Sequence, residues 1–301
     1  MITKNRKLSI IRVPFGLGAG QTGAEFGPDS LLDAGLLKYL ERLKFDVAVN
    51  QQVDGPEGTP AITDSKAKYL PEVLKACRSL ADHVSEAAES EYFPLVLGGD
   101  HSIAIGTLAG LTRHYRNLGV IWFDAHSDLN TEDTSPSGNV HGMSLAVAIG
   151  RAGTSWTDLA WKGPHIRPEH LVLVGARDLD SGEKEFIREQ GIACFTMHEI
   201  DRMGIEKVMR EAVRIAGNST DGVHLSFDVD SIDPLEAPGT GTPVRGGVSY
   251  REAHLAMELL YESGIVTSAE FVEVNPSLDV NGQTVRLAVE LIGSLLGERI
   301  L

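Results

Sequence analysis

Eight short apolar runs rich in β-branched residues mark this chain, at Leu8–Phe15, Phe45–Val49, Phe93–Leu97, Val120–Phe123, Leu171–Val174, Ala193–Met197, Val223–Phe227 and Ile265–Val274. Stretches of helical period fall between them, most clearly Asp29–Leu43, Leu70–Ser90, Ile103–Tyr115, Ile205–Ile215, Tyr250–Leu260 and Val285–Leu296. Strands that are apolar along their length must be covered on both faces. Alternation with helices therefore predicts a parallel sheet between two helical layers. Eight runs suit a closed barrel or an open doubly wound sheet, and periodicity does not choose between them. There is no internal repeat and no Pro- or Gly-rich linker, so residues 1–301 read as one domain.

Composition narrows the function classes. Lys and Arg number 27 against 42 Asp and Glu, a net charge of −15 with no block of one sign. That disfavours nucleic acid or an anionic membrane as partner and weakly favours a cationic substrate. Cys77 and Cys194 are too few for a disulfide framework and lack zinc-finger spacing. They read as structural thiols of a reduced, soluble, cytoplasmic protein. The basic start Met1–Lys7 precedes only a short apolar run containing Pro14, a first strand rather than a signal peptide, and nothing reaches transmembrane length.

The polar residues of interest fall where these runs end. Val120–Asp128 begins as a strand and finishes with Asp124, His126 and Asp128. On a continuing strand, side chains two apart leave on one face. Carboxylates gathered away from water cost on the order of several kcal/mol unless something neutralises them, and a divalent cation is the obvious neutraliser. Asp228 and Asp230 repeat the spacing after the seventh run, and His101 follows Gly98-Gly99 after the third. Gly175–Asp180 and Glu273–Pro276 close the fifth and eighth. Parallel sheets bind ligands beyond the carboxyl ends of their strands, so five strands would deliver polar residues to one edge. Four carboxylates balance two divalent cations. A cysteine-free, oxygen-dominated donor set with two imidazoles favours manganese, although iron(II), cobalt or nickel could use the same ligands. Such a pair makes a bridging hydroxide near neutral pH, the nucleophile for a hydrolysis. Asp100 and Asp233 adjoin these residues but read as turn or supporting groups. In the glycine-rich loop Gly16–Gly27 the dinucleotide pattern fails at Gln21. Gly55–Asp64 reads as an irregular surface loop.

Gly98–Ser102, Asp124–Asp128 and Ser226–Pro234 resemble the three signature motifs of the ureohydrolase family, manganese enzymes that hydrolyse guanidino or formimino groups. Spacing and flanking sequence extend the resemblance over nearly the whole chain. Asn130 and Ser137–Gly142 are similar to the loop with which arginases of that family hold the α-carboxylate and α-amino groups of L-arginine. Agmatinases generally lack this Ser-Gly-Asn run. The resemblance implies an α/β three-layer sandwich around an eight-stranded parallel sheet, homo-trimers or hexamers, and two Mn2+ per subunit. By the same resemblance, His101, Asp124, Asp128 and Asp228 would bind one manganese, and Asp124, His126, Asp228 and Asp230 the other. Asp128 would orient the metal-bridging hydroxide, and His141 would protonate the leaving amine. Glu273 would pair with the guanidinium and Thr242 would align it. Asp180 would accept from the α-amine, and Asn130, Ser137 and Asn139 would hold the carboxylate, with Glu183 a weaker addition.

The implied reaction converts L-arginine and water to L-ornithine and urea. An agmatinase or another guanidino-substrate amidinohydrolase is the same-family alternative. A binuclear metal phosphoesterase would need basic residues around the metals, and the strand-end motifs supply only Arg177. An inactive metal-binding interaction protein would not need all six ligands together with His141. Arg177 reads as a structural ion pair near Asp180, His83 and His114 as solvated, and His224 as a satisfied core or supporting histidine. Arg251 and Glu252 resemble a subunit-interface pair of the family. Departures are Ser127, where relatives often carry Gly, Ser144, where Pro is common, and the unusually glycine-rich loop Gly16–Gly27.

Overall fold

Each of the eight apolar runs forms a strand: β1 (Leu8–Val13), β2 (Val47–Gln52), β3 (Phe93–Gly98), β4 (Leu118–Phe123), β5 (Leu171–Ala176), β6 (Ala193–Thr196), β7 (Gly222–Asp228) and β8 (Val266–Val272). The computed structural model describes residues 7–299 other than 57, 59, 63, 154, 155, 157, 158 and 160. All pairings are parallel and the spatial order is β2-β1-β3-β8-β7-β4-β5-β6. The sheet is open, with β2 and β6 at its edges, and is not a barrel. The inner strands β3, β4, β5 and β7 are buried at every position, while β2 alternates and β6 is half-buried throughout.

Among the described residues nine helices connect the strands and a tenth follows β8: α1 (Gly27–Asp33), α2 (Leu36–Arg42), α3 (Leu70–Glu89), α4 (Ala104–Leu111), α5 (Ser144–Ala148), α6 (Ser181–Gln190), α7 (Met197–Met203), α8 (Ile205–Ala216), α9 (Tyr250–Ser263) and the last, α10 (Gln283–Leu295). Strand alternation sorts the core into two layers. Ile121 and Phe123 pack with Leu36, Val208, Met257 and Leu291 from α2, α8, α9 and α10. Val120 and Trp122 pack with Leu80, Leu108 and Ile187 from α3, α4 and α6. The result is a three-layer sandwich.

Several boundaries differ from the periodic reading. The expected helix Asp29–Leu43 is broken by Gly35, whose φ of 95° lies in the left-handed region. The strand expected to run to Val274 stops at Val272, because Glu273 is left-handed at φ 61°. The short helices α5, α6 and α7 were not anticipated. α6 carries only Ile187 as a buried apolar anchor and α7 only Ile200, too few to register as a period. Residues 1–6 and three positions of the loop Gly55–Asp64 lie outside the described residues. No described helix is long and apolar enough to cross a membrane. Both cysteines are free, and burial pushes the Cys194 thiol up to about 12. His83 is half-buried on α3, and His114 is exposed beside Tyr115. Glu252 closes a capping box with Ser249 at the start of α9, and Arg251 lies 3.6 Å from Glu258.

Candidate metal centre

Strands β3, β8, β7, β4 and β5 lie side by side, so their carboxyl ends form one continuous edge. The same local device shapes three of these ends. Asp100 Oδ1 accepts the Ser102 N–H at 2.9 Å, Asp124 Oδ1 the His126 N–H at 2.7 Å, and Asp228 Oδ1 the Asp230 N–H at 2.8 Å. An aspartate that captures the N–H two residues on bends the chain sharply. Pleat alternation therefore does not aim the side chains: β4 ends at Phe123 and β7 at Asp228, and His126, Asp128 and Asp230 lie beyond them. Asp128 completes its turn with a left-handed backbone, φ 51°, costing on the order of 1–3 kcal/mol. Its carbonyl is fixed by the N–H groups of Leu145 and Ala146 in α5, at 3.0 and 3.1 Å.

The turns converge. His101, Asp124 and Asp228 form one group, and Asp124, His126 and Asp230 a second, with the donor atoms of each group within 4.8 Å of one another. Asp124 belongs to both. His101 Nδ1 lies 3.1 Å from Asp124 Oδ2 and 3.2 Å from both Asp128 Oδ2 and Asp228 Oδ2. His126 Nδ1 lies 3.1 Å from Asp230 Oδ2 and 3.4 Å from Asp124 Oδ1. Asp128 thus adjoins the first group. Asp228 joins the first group only.

Among the described residues no Lys or Arg is ion-paired with these four carboxylates. Burial and mutual repulsion push the Asp128, Asp228 and Asp230 carboxyls above the usual range. Burial would do the same to Asp124, but the two imidazoles beside it hold it low. Burial also works against charge on the imidazoles, yet Asp124 and Asp228 raise the His101 pKa, and the charge of Asp230 chiefly raises that of His126. His101 Nδ1 is buried, aimed among three carboxylates and aligned in a hydrogen bond with none. That orphaned nitrogen, in an oxygen-rich and thiol-free donor set, fits a ligand for a hard divalent cation.

A cleft opens over the group, lined by Asn130, Ser135, Ser137, His141, Asp178, Asp180, Glu183 and Thr242 together with His126, Asp128 and Asp228. Asn130 Nδ2 donates to Asp180 Oδ2 at 2.8 Å, and its Oδ1 accepts from Thr134. Ser137 Oγ accepts the Asn139 N–H at 3.1 Å. Asn139 is held by Lys68 Nζ at 3.1 Å and does not line the cleft. Thr242 Oγ1 donates to Asp230 Oδ2 at 2.9 Å.

His141 and Glu273, expected in separate roles, pair with each other at 3.1 Å. Glu273 is buried behind His141 rather than on the cleft wall, and its Oε1 also accepts the His101 N–H at 2.9 Å. Burial tends to lower the His141 pKa, but the bond to Glu273 and its charge outweigh burial and raise it to about 9.

Glu183 reaches the cleft with both oxygens engaged. Oε1 accepts from Ser127 Oγ at 2.7 Å and Leu129 N at 3.0 Å, and Oε2 from Asp180 N at 2.8 Å. This gives Ser127 a function, since it ties the motif loop to α6. Ser144 Oγ likewise links the His101 and His141 carbonyls, at 3.0 and 2.8 Å. The glycine-rich loop is threaded between motifs: Gly18 N–H donates to Asp100 Oδ2 at 2.8 Å, and Gly18 O accepts the His141 N–H at 3.1 Å. A side chain at Gly18 would collide with Asp100 and Ser102. Asp233 shapes a turn by accepting from Leu235, Gly246 and Gly247.

Arg177 forms no ion pair with Asp180. Its guanidinium instead gathers the carbonyls of Gly175, Asp230, Ser231, Ile232 and Val244, bracing the Asp230 turn. The sequence reading also missed Ser135 and Asp178 on the cleft wall, and Glu270 behind His101. Asp178 could have been found as the residue two before Asp180. Glu270 had only a lone carboxylate inside an apolar run to mark it.

An open parallel sheet whose carboxyl edge gathers four aspartates and two histidines around a shared carboxylate defines a binuclear metal enzyme. The chain belongs to the Arginase family, whose profile matches residues 6–297. It is 51% identical over 298 residues to the arginase of Bacillus caldovelox, covering 98% of this chain and 100% of that one. A native crystal structure of Bacillus caldovelox arginase superposes with a TM-score of 0.94 at 51% identity, covering 98% of this chain and 100% of the other. A Bacillus subtilis arginase structure gives 0.91 at 49% identity, over 98% and 100%.

Proposed function

We propose that this protein is an arginase, hydrolysing L-arginine to L-ornithine and urea with two manganese ions. The observation that carries the reading is the sharing of Asp124 by two donor groups in a cleft that also presents Asn130, Ser137 and Asp180. His101, Asp124, Asp128 and Asp228 would hold one ion. Asp124, His126 and Asp230 would hold the other, with Asp228 completing it as the family resemblance implies. Bound there, a divalent pair acidifies the water between its members and so supplies hydroxide near neutral pH.

The chain's own residues must do the rest. Asp128, at the edge of the first group, accepts a hydrogen bond from the attacking oxygen and aims it at the guanidinium carbon. Glu273, buried behind His141, would pair with the guanidinium through Oε2, the oxygen that His141 and the His101 N–H leave unengaged, with Thr242 aligning the group. Asp180 accepts from the α-amine. Asn130 and Ser137 define the carboxylate end from the cleft wall, with Asn139, held by Lys68 outside that wall, assigned there only by the family resemblance, and Glu183 supports the wall. His141 lines the cleft with a proton that Glu273 stabilises. As the carbon–nitrogen bond breaks, its electron pair stays on the departing nitrogen, which takes that proton to leave as the ornithine amine. The carbon keeps the added oxygen, whose hydrogen passes to Asp128, and leaves as urea. The same reading makes residues 1–301 one catalytic domain of a cytoplasmic homo-trimer or hexamer.

Urea release from L-arginine and from agmatine, measured after chelation and Mn2+ restoration, tests this. Chelation should abolish activity, Mn2+ should restore it, and L-arginine should be preferred. An equal or greater kcat/KM on agmatine would replace the arginase reading with an agmatinase one. Failure of Mn2+ to restore activity would overturn the metal assignment.

A further inference from the structure

Behind His101, on the side away from the cleft, buried polar groups form a chain. His101 Nε2 lies 2.8 Å from Ser226 Oγ, and Ser226 Oγ donates to Glu270 Oε1 at 2.7 Å. Ser226 and Glu270 are direct partners in the β7–β8 register. Two positions back in that register, on the same face of the sheet, are His224 and Ser268, whose side chains meet at 2.9 Å, and His224 Nε2 comes within 3.3 Å of Glu270 Oε1. Glu270, Ser226, His224 and Ser268 are all fully buried. Among the described residues, Glu270 is paired with no Lys or Arg. A carboxylate inside a parallel strand is costly to keep, and here it accepts from Ser226 and faces His224.

The direction of each hydrogen bond can be worked out from the Glu270 end. An ionised carboxylate only accepts, so the Ser226 hydroxyl must use its single hydrogen on Glu270. Toward His101 the serine oxygen then has only lone pairs to offer. His101 must therefore carry a hydrogen on Nε2, which leaves Nδ1 as the nitrogen facing Asp124, Asp128 and Asp228. Trp122 lies flat against the imidazole, with ring centroids 4.1 Å apart and planes 6° from parallel, and keeps the ring from tilting.

We propose that Glu270 is a positioning residue for the metal centre: through Ser226 it fixes the tautomer and ring orientation of His101, so that Nδ1 is the atom presented to the cation of the first group. The inference rests on the metal-centre reading above. A partner that holds the second nitrogen of a ligating histidine is worth about 10- to 100-fold in metal affinity. Its negative charge also makes the imidazole a better donor. The effect is confined to one site, because His126 has no part in the chain.

The test is equilibrium dialysis against chelator-buffered Mn2+, with the parent protein, Ser226→Ala, Glu270→Gln and the double variant. Ser226→Ala should release the Mn2+ of the first group at about 10- to 100-fold higher free metal, while the His126 site stays within about twofold of the parent. Glu270→Gln keeps an amide oxygen for Ser226 and loses only the charge, so it should lose less, and its near-identical shape guards against misfolding. The double variant should bind no worse than Ser226→Ala, since both changes cut one path. Parent-like affinity at both sites in the variants, equal weakening of both sites, or losses that add in the double variant would overturn the assignment. A parent that binds fewer than two Mn2+ would overturn the metal-centre reading, and this inference with it.

Discussion

Replacing Glu183 decides whether that residue is a strut or a substrate contact. It is only 5% exposed, and it accepts hydrogen bonds from Ser127, Leu129 and Asp180. Glu183→Ala leaves the buried Leu129 N–H and Ser127 hydroxyl without partners, at about 1–3 kcal/mol each; the N–H of the exposed Asp180 can turn to water. A total of about 3–5 kcal/mol is expected. At roughly 2–4 °C per kcal/mol for chains approaching this size, Tm should fall by about 6–20 °C. Glu183→Gln keeps one oxygen for Ser127 and Leu129 but sets an amide NH2 against the Asp180 N–H. It should cost about 1–2 kcal/mol, or roughly 2–8 °C. Calorimetry on Mn2+-loaded protein measures both. Kinetics at saturating Mn2+ complete the test, because a strut holds the Asp124–Asp128 turn and leaves the substrate's own contacts in place. KM for L-arginine should then change by less than about threefold in both variants. A tenfold rise in KM with Tm unchanged would refute the strut and make Glu183 a substrate ligand.

Three further outcomes follow from the same geometry. His141→Phe should lower kcat by about 10²- to 10⁴-fold with little change in KM and an unchanged Mn2+ content, read by urea release and metal analysis; an unaltered kcat would remove His141 from proton transfer. Gly138 has a φ of 72°, and a methyl built there runs into the Ser65 carbonyl oxygen. Gly138→Ala should therefore displace Ser137 and raise KM for L-arginine at least tenfold more than for agmatine, and an equal rise on both would contradict the carboxylate reading of this loop. The His141–Glu273 pair raises the imidazole pKa in the folded state to about 9, against about 6.5 when unfolded. Its stabilisation is full below about pH 6.5 and is lost as pH rises through about 9. The Tm gap between the parent and Glu273→Gln should accordingly narrow over that range, and a gap that is flat with pH would show that the pair contributes nothing through its charge.

The strands were readable because the inner ones are buried on both faces, so composition alone reported them; Val120–Phe123 and Val223–Phe227 could be little else. α6 and α7 were not readable, because each shows the core a single fully buried apolar side chain, Ile187 and Ile200. Arg177 misled for a related reason. Its five partners are backbone carbonyls, which any residue carries, so no side chain elsewhere in the sequence announces them. Lys68 and Glu270 show the same limit from the other side: each has a partner distant in sequence, and neither sits in a motif.

The donor spacing was read correctly for a reason the molecule does not use. Side chains two apart share a face on a strand, and Asp124, His126 and Asp128 were expected to converge that way. They converge because an aspartate side chain reaches the N–H two residues ahead, a bond that also has a span of two. A sequence period of two cannot tell these geometries apart, but their consequences differ. A pleat would leave both oxygens of each aspartate free and would place the donors about 7 Å apart along the strand. The turn engages one oxygen, leaves the other to face inward, and folds the chain back so that His126 Nδ1 comes within 3.4 Å of Asp124 Oδ1. Only this tighter geometry lets one carboxylate belong to two groups, and a shared carboxylate is what makes the centre binuclear. The strands therefore choose which loops meet, and the aspartate turns set the separation at which a cation pair can be held.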